Sequence, residues 1–312
     1  MSTMTEKLAD FTIKLEFGDL PEEAVESAKH LLFDSIGCAL GGLKQKDPGI
    51  YMEVLDFLGA AGQATIIGTR KKTSITNAAL INSLLVRVMD YNDIYWNQDP
   101  SHPSDLIPVA LALGEHLGLG GRDILLAIII GYEIEMRLCD FAVPGIRERG
   151  WHHATLTQMA SPFMAGKLLG LNAPQMVNAA GISGSSHCTL GAVTAGKLTM
   201  MKNTVDPSAA ADGIEAALLA QKGYTGPEHV IDGKEGLMQV LGQGWNEKAL
   251  LDGLPESFKI TECGMKSYPT EALTHSPITA ALEIVKKHGI DSNSIAGVRV
   301  GTIARAADIL SD

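Results

Sequence analysis

Glycine closes one apolar segment after another in this chain: Gly118, Gly170, Gly223 and Gly289 each stand just past a run of hydrophobic residues. A helix C-terminus favours a left-handed residue, which glycine adopts without strain, so this punctuation marks helix ends. The matching start signals are proline or acidic residues at the opening of each run. The pattern predicts helices over Pro21 to Leu40 (with Asp19 able to cap), Ile75 to Met89, Leu106 to Leu117 and Arg122 to Leu138. It continues with Thr155 to Leu169, a short Pro174 to Gly181, Pro207 to Lys222 with Asp206 as N-cap, and Pro277 to His288 with Ser276 as N-cap. Ile75 to Met89 is apolar nearly all round and should be buried. Strand signal is confined to Val298 to Thr302, since Thr65 to Ile67 is too short to anchor a sheet. A chain so written folds as mainly α, with strand-like character only near residue 300.

Composition narrows the partners. The 312 residues carry 25 Lys+Arg against 36 Asp+Glu, a net charge of −11, with no basic run. Nucleic acid and anionic membrane surfaces are poor partners for such a field. Aromatic residues make up only 5%, too few for a base-stacking platform. The longest apolar run, Ile124 to Ile130, falls far short of the ~20 residues of a membrane span. No apolar leader follows Met1. The four cysteines (Cys38, Cys139, Cys188, Cys263) form no CxxC pair, which fits a reducing compartment and disfavours a metal cluster or disulfide scaffold. A soluble cytoplasmic protein is expected. An anionic substrate would need positive charge gathered locally, against the net field.

Several groups carry possible chemistry. Gly191 to Lys197 matches GxxxxGK, but Leu198 stands where a P-loop needs Ser or Thr and no strand precedes it, so it reads as a loop. Asp90-Tyr91-Asn92-Asp93 and Asp99-Pro100-Ser101-His102-Pro103-Ser104 share one connection between two buried helices, the kind of place where catalytic groups concentrate. Asp99, Ser104 and Asp105 read there as turn and cap residues. Trp151-His152-His153 precedes another helix; adjacent histidines point apart and form no i, i+4 metal face. By residue type alone, Lys202 reads as solvated surface; Lys266 and His275, flanking the Pro269 turn, could line a cleft but read more simply as a solvated Lys and a His near a helix start. His187 and Cys188, being neighbours, cannot face each other.

The order of these pieces resembles the MmgE/PrpD family. It runs from Leu31-Leu32-Phe33-Asp34-Ser35-Ile36-Gly37 through Asp90 to Asp93, His102-Pro103-Ser104, Trp151-His152 and Ala165-Gly166-Lys167-Leu168-Leu169-Gly170. It goes on through Gly213 to Ala220, Gly223-Tyr224-Thr225-Gly226-Pro227, Lys266-Ser267-Tyr268-Pro269 and His275. The resemblance implies a large all-helical domain, residues 1–265, followed by the beginning of a smaller α/β lid domain, 266–312. Family chains are usually about half as long again, so the lid is expected to be incomplete and the 312 residues alone weakly active. Ile94 stands where some decarboxylase-like members carry Thr, which counts against a decarboxylase.

The resemblance further implies a homodimer without organic cofactor or metal, acting on a small di- or tricarboxylate. The matching site positions are Asp90, His102, His152, Lys202, Lys266 and His275. Lys202, Lys266 and His275 would bind substrate carboxylates. His102 would transfer the proton, with Asp90 orienting its ring, and His152 would be the second proton handler. Dehydration or decarboxylation is expected. Epimerisation of an amino-dicarboxylate such as iminodisuccinate is the alternative chemistry, and a non-catalytic helical dimerisation module the alternative of another kind.

Overall fold

Helix formation follows the punctuation. The structure, a computed structural model, describes residues 2–241 and 244–310. The opening helix α1 (Met4–Lys14) starts on a capping box, in which the Thr3 hydroxyl accepts the Glu6 N–H and the Glu6 carboxylate accepts the Thr3 N–H. Next come α2 (Glu22–Gly42) and α3 (Lys46–Leu58), then α4 (Ile75–Arg87), capped by Ser74. After these lie α5 (Ile107–Leu117), α6 (Gly121–Phe141), α7 (Ala154–Leu168) and α8 (Ala173–Ser186). The series ends with α9 (Met201–Gln221), two short helices α10 (Leu237–Val240) and α11 (Glu247–Leu251), then α12 (His275–His288) and α13 (Ala304–Leu310). Gly118 and Gly289, at φ 66° and 59°, end α5 and α12 in the left-handed conformation.

Two small antiparallel sheets complete the described residues. One pairs β1 (Ala64–Thr65) with β2 (Lys72–Thr73); the other pairs β3 (Tyr95–Trp96) with β4 (Pro100–Ser101), Tyr95 opposite Ser101. The β3–β4 hairpin lies in the connection from α4 to α5. It holds His102 at the edge of the core.

The core is built on α4, α6, α7 and α9, with α7 packed on α6, α8 and α9, and α9 also on α4 and α8. Leu126 to Phe141 of α6 is buried all round. Charged side chains on that stretch find partners there, as where Arg137 Nε donates to Glu133 and Tyr95 donates to Asp140. The approach of α9 to α7 is close enough that a Cβ on Gly213 would strike the Ser161 side chain. Only glycine lets the two helices meet there. No described helix is long and apolar enough to cross a membrane.

Four local expectations are corrected. Asp206 does not cap a helix: α9 begins at Met201, so Pro207 lies inside it. Burial of Thr204, Val205 and Asp206 against neighbouring helices outweighs the backbone bond that proline forfeits. The N-cap of α12 is Thr274 rather than Ser276, because a 3₁₀ turn at Ala272–Thr274 runs straight into it. Helix α8 runs to Ser186, well beyond Gly181. Residues 298–302 form no strand; Val298 and Val300 are 75% and 56% exposed and meet no partner strand among the described residues. Between 267 and 305 no described residue is buried.

Candidate active site

A cavity of about 210 Å³ opens where the α4–α5 connection, the residues before α7, the start of α9 and the segment around Lys266 converge. That volume suits a small metabolite better than a drug-sized or dinucleotide ligand. Its polar wall includes Arg87, Asp90, His102, Arg147, His152, His153, Lys202 and Lys266, and its apolar wall Ile94, Trp96, Leu198, Ile309 and Leu310.

Asp90 is the hub. It follows α4 with φ 53°, the sole positive φ outside glycine among the described residues. Its two carboxylate oxygens accept from Lys266 Nζ and Lys202 Nζ, each at 2.7 Å. Lys266 also donates to the Asp90 carbonyl at 3.1 Å. Burial would raise the Asp90 carboxyl, but the Arg87, Lys266 and Lys202 charges outweigh it and hold the group well below the usual carboxylate range. Burial, aided by the Arg87 charge, lowers both lysines, while Asp90 supports their ionised form. Lys266 is placed by a backbone bridge: Ile94 N–H donates to Gly264 O at 2.8 Å and Gly264 N–H to Ile94 O at 2.9 Å.

His102 is buried, and its Nδ1 lies 2.6 Å from the Asp93 carbonyl oxygen. A carbonyl only accepts, so Nδ1 carries the proton and Nε2 keeps its lone pair. Burial pushes this imidazole well below 6.5, and the Arg87 and Lys266 charges push the same way, so it stands neutral. Asp90, expected behind this ring, is engaged by the lysines instead; the orienting group is the Asp93 backbone. Asp93 is itself fixed, its carboxylate accepting from the Ser104 hydroxyl at 2.5 Å and the Tyr132 hydroxyl at 2.8 Å.

His152 is held by its backbone N–H, which donates to Thr189 O at 2.8 Å. Its Nδ1 accepts the Ala154 N–H at 3.1 Å. The ring proton therefore sits on Nε2, which is buried without a hydrogen-bond partner. Burial, then the neighbouring His153, lowers this imidazole well below 6.5. The His153 ring lies 3.8 Å from that of His152 and 5.5 Å from that of His102, and its Nε2 is 3.3 Å from Asp206 Oδ1. His152, His153 and Asp206 bring ligating atoms within 4.8 Å of one another, a possible metal set. Two observations weigh against a cation there: the proton on His152 Nε2, and the Arg87 guanidinium already 3.7 Å from Asp206.

The structure thus brings Asp90, His102, His152, Lys202 and Lys266 to one cavity. It does not bring His275, whose ring meets Tyr268 edge-on at 5.3 Å, off the cavity wall. The reading of Lys202 and Lys266 as solvated fails because their partner, Asp90, is 112 residues from the first and 176 from the second. Sequence reasoning missed Arg87, His153, Asp206 and Arg147. Arg87 left a signal: a lone guanidinium in an apolar helix has to be paired. Its Nη1 and Nε lie 3.7 Å from carboxylates of Asp90, Asp105 and Asp206.

Behind the His102 loop, the buried Glu135 accepts from the Ser101 and Thr157 hydroxyls. Burial pushes its carboxyl up to about 8, with those hydroxyls pulling the other way. The folded value lies above the unfolded one, so its contribution is fully present below pH 4.5 and is lost as pH rises from there through about 8. The Glu135→Gln variant should remove that loss and gain several kcal/mol over the parent at pH 8.5, since each tenfold change in proton affinity is worth about 1.4 kcal/mol. Urea melts at pH 5 and 8.5 read it; an equal parent-to-variant gap at both would contradict it.

Comparison with known proteins places these residues in context. Residues 6–249 match the model of the MmgE/PrpD N-terminal domain. The chain is 27% identical over 303 residues to a cis-aconitate decarboxylase of Aspergillus terreus (strain NIH 2624 / FGSC A1156), covering 92% of this chain and 61% of that protein. It is 28% identical over 298 residues to the cis-aconitate decarboxylase of Homo sapiens, covering 92% and 60%. A 2-methylcitrate dehydratase of Cupriavidus necator is 24% identical over 301 residues, covering 90% and 60%. The chain spans about 60% of the length of these relatives.

Proposed function

The chain belongs to the MmgE/PrpD family, and on that premise we propose that it carries the helical part of a cofactor-independent lyase. The substrate is a small di- or tricarboxylate, a 2-methylcitrate- or cis-aconitate-like acid, and the reaction is dehydration or decarboxylation. The observation that carries this is the free Nε2 of a neutral, buried His102 in the same cavity as the buried Lys266 and the half-buried Lys202. Lys266 and Lys202 bind the carboxylate beside the reacting carbon by charge-assisted hydrogen bonds. Their charge stabilises the enolate-like anion as it forms. In dehydration, His102 Nε2 takes the proton from carbon and the electron pair forms the double bond; the departing hydroxyl, hydrogen-bonded by the His152 Nε2–H, takes the proton that His102 has gained and leaves as water. In decarboxylation, CO₂ leaves its electron pair on carbon, where a proton taken from solvent and passed on by His102 Nε2 replaces it. His275 would touch the substrate only if α12 moved toward the cavity.

The division at residues 265 and 266 belongs to this reading, supported by the lack of buried residues from 267 to 305. So does a homodimer: Phe33, Phe57 and Leu58 on α2 and α3 are 83%, 89% and 68% exposed. A reducing, cytoplasmic location is supported by four unpaired cysteines.

The test is turnover of cis-aconitate and 2-methylcitrate by the purified protein, with CO₂ release reporting decarboxylation and new double-bond absorbance reporting dehydration. Calorimetric binding of the same acids is measured alongside. Neither turnover nor binding would sink the reading. A change of optical rotation alone, on an amino-dicarboxylate, would favour an epimerase, and a stable dimer that binds no polycarboxylate a non-catalytic module. The pH profile of kcat/KM is expected to be a bell displaced toward acid. His102 acts as its neutral form and is lowered, so the acid limb lies below 6.5. Lys202 and Lys266 act as cations and are lowered, so the alkaline limb lies below 10.5. An acid limb above 6.5 would remove His102 as the base.

A further inference from the structure

The cations around Asp90 are mostly spent on the protein itself. Arg87, Lys202 and Lys266 supply three positive charges. Against them stand Asp90 and Asp206, both held ionised, while burial raises the Asp105 carboxyl well above the usual range. At most one positive charge remains for a substrate that brings two or three negative ones. Both histidines of the proposed mechanism are neutral and add none. Asp99 and Glu271, in the same wall, can only subtract.

Arg147 is different. It lines the cavity, yet its guanidinium makes no ion pair or hydrogen bond among the described residues. Its backbone, by contrast, is fixed. The buried Asp99 carboxylate accepts the Ile146 N–H at 2.7 Å and the Arg147 N–H at 3.4 Å. Asp99 sits so close against Gly145 that a Cβ there would collide with its carboxylate. A short turn, Arg147–Arg149, is thereby anchored with the first side chain at the cavity. A half-buried guanidinium without a hydrogen-bonded partner, on a fixed backbone, is suited to a bidentate hold on a carboxylate.

We propose that Arg147 is the specificity-determining residue of this site: it takes a substrate carboxylate remote from the reacting carbon and so selects tricarboxylates over dicarboxylates. The inference rests on the polycarboxylate reading above. Its test is calorimetric binding of cis-aconitate and of citraconate, which is cis-aconitate with the CH₂–COO⁻ arm cut back to methyl. The parent protein should prefer cis-aconitate. Arg147→Met should raise the cis-aconitate Kd about 10- to 100-fold, the usual range for losing a charged hydrogen-bond partner. It should leave the citraconate Kd within about threefold, since no contact to that acid is lost. Arg147→Lys should recover part of the loss, keeping charge without the fork. Equal weakening for both acids, or none for either, overturns the proposal. A parent that binds neither acid overturns the polycarboxylate reading, and Arg147's role with it.

Discussion

Replacing His102 by Gln should lower kcat by about 10²–10⁴-fold, the usual worth of one positioned acid or base. KM should stay within a few-fold, because the carboxylate contacts belong to Lys202 and Lys266. The fold should survive: the Gln amide can still donate to the Asp93 carbonyl that His102 Nδ1 now faces at 2.6 Å. Steady-state kinetics with a thermal melt separate the two effects. A variant with normal kcat would remove His102 from the chemistry. One that loses activity and fold together would leave the residue as a packing element, and the neutral His102→Asn variant with its melt would then decide.

Replacing Arg87 by Met should destabilise the fold by roughly 3–5 kcal/mol, the scale for removing one partner from a buried ion pair. The guanidinium is buried and faces carboxylates of Asp90, Asp105 and Asp206, each at 3.7 Å. Without it, Asp206 remains as an ionised group inside the protein with only the adjacent histidines to balance it. The double variant Arg87→Met with Asp206→Asn should therefore be more stable than Arg87→Met alone, a non-additivity expected of groups in direct interaction. Urea midpoints of the four proteins in that cycle measure it. Additive losses would show that Arg87 acts through packing of its stem rather than its charge.

These residues also mark how far the chain can be read from its sequence. The helices are legible because their ends are written locally, as at Gly118 and Gly289. The start of α9 is not, since Asp206-Pro207 is a sound local cap signal that loses to burial of the preceding turn. In the site, His102 and His152 are legible as histidines beside helix starts. Roles are less so: which group stands behind His102 depends on a 2.6 Å contact to a backbone oxygen, and backbone oxygens leave no trace in composition. Lys202 and Lys266 look solvated because a buried cation is recognised by its partner, and Asp90 is distant along the chain. Arg147 is invisible for the opposite reason, since its distinction is a guanidinium that makes no ion pair or hydrogen bond among the described residues.

Asp90 sets a boundary on redesign. At φ 53° its position accepts few residues: glycine without strain, and asparagine or aspartate at little cost. Most other side chains would add about 1–3 kcal/mol of backbone strain. Glycine brings no carboxylate to hold two ammonium groups, and asparagine brings no charge. Backbone and electrostatics thus reduce the usable alphabet at position 90 to one letter. An engineer seeking a new substrate would leave it alone and vary Ile94, Trp96, Arg147 and Leu198, which line the same cavity from backbones with no such restriction.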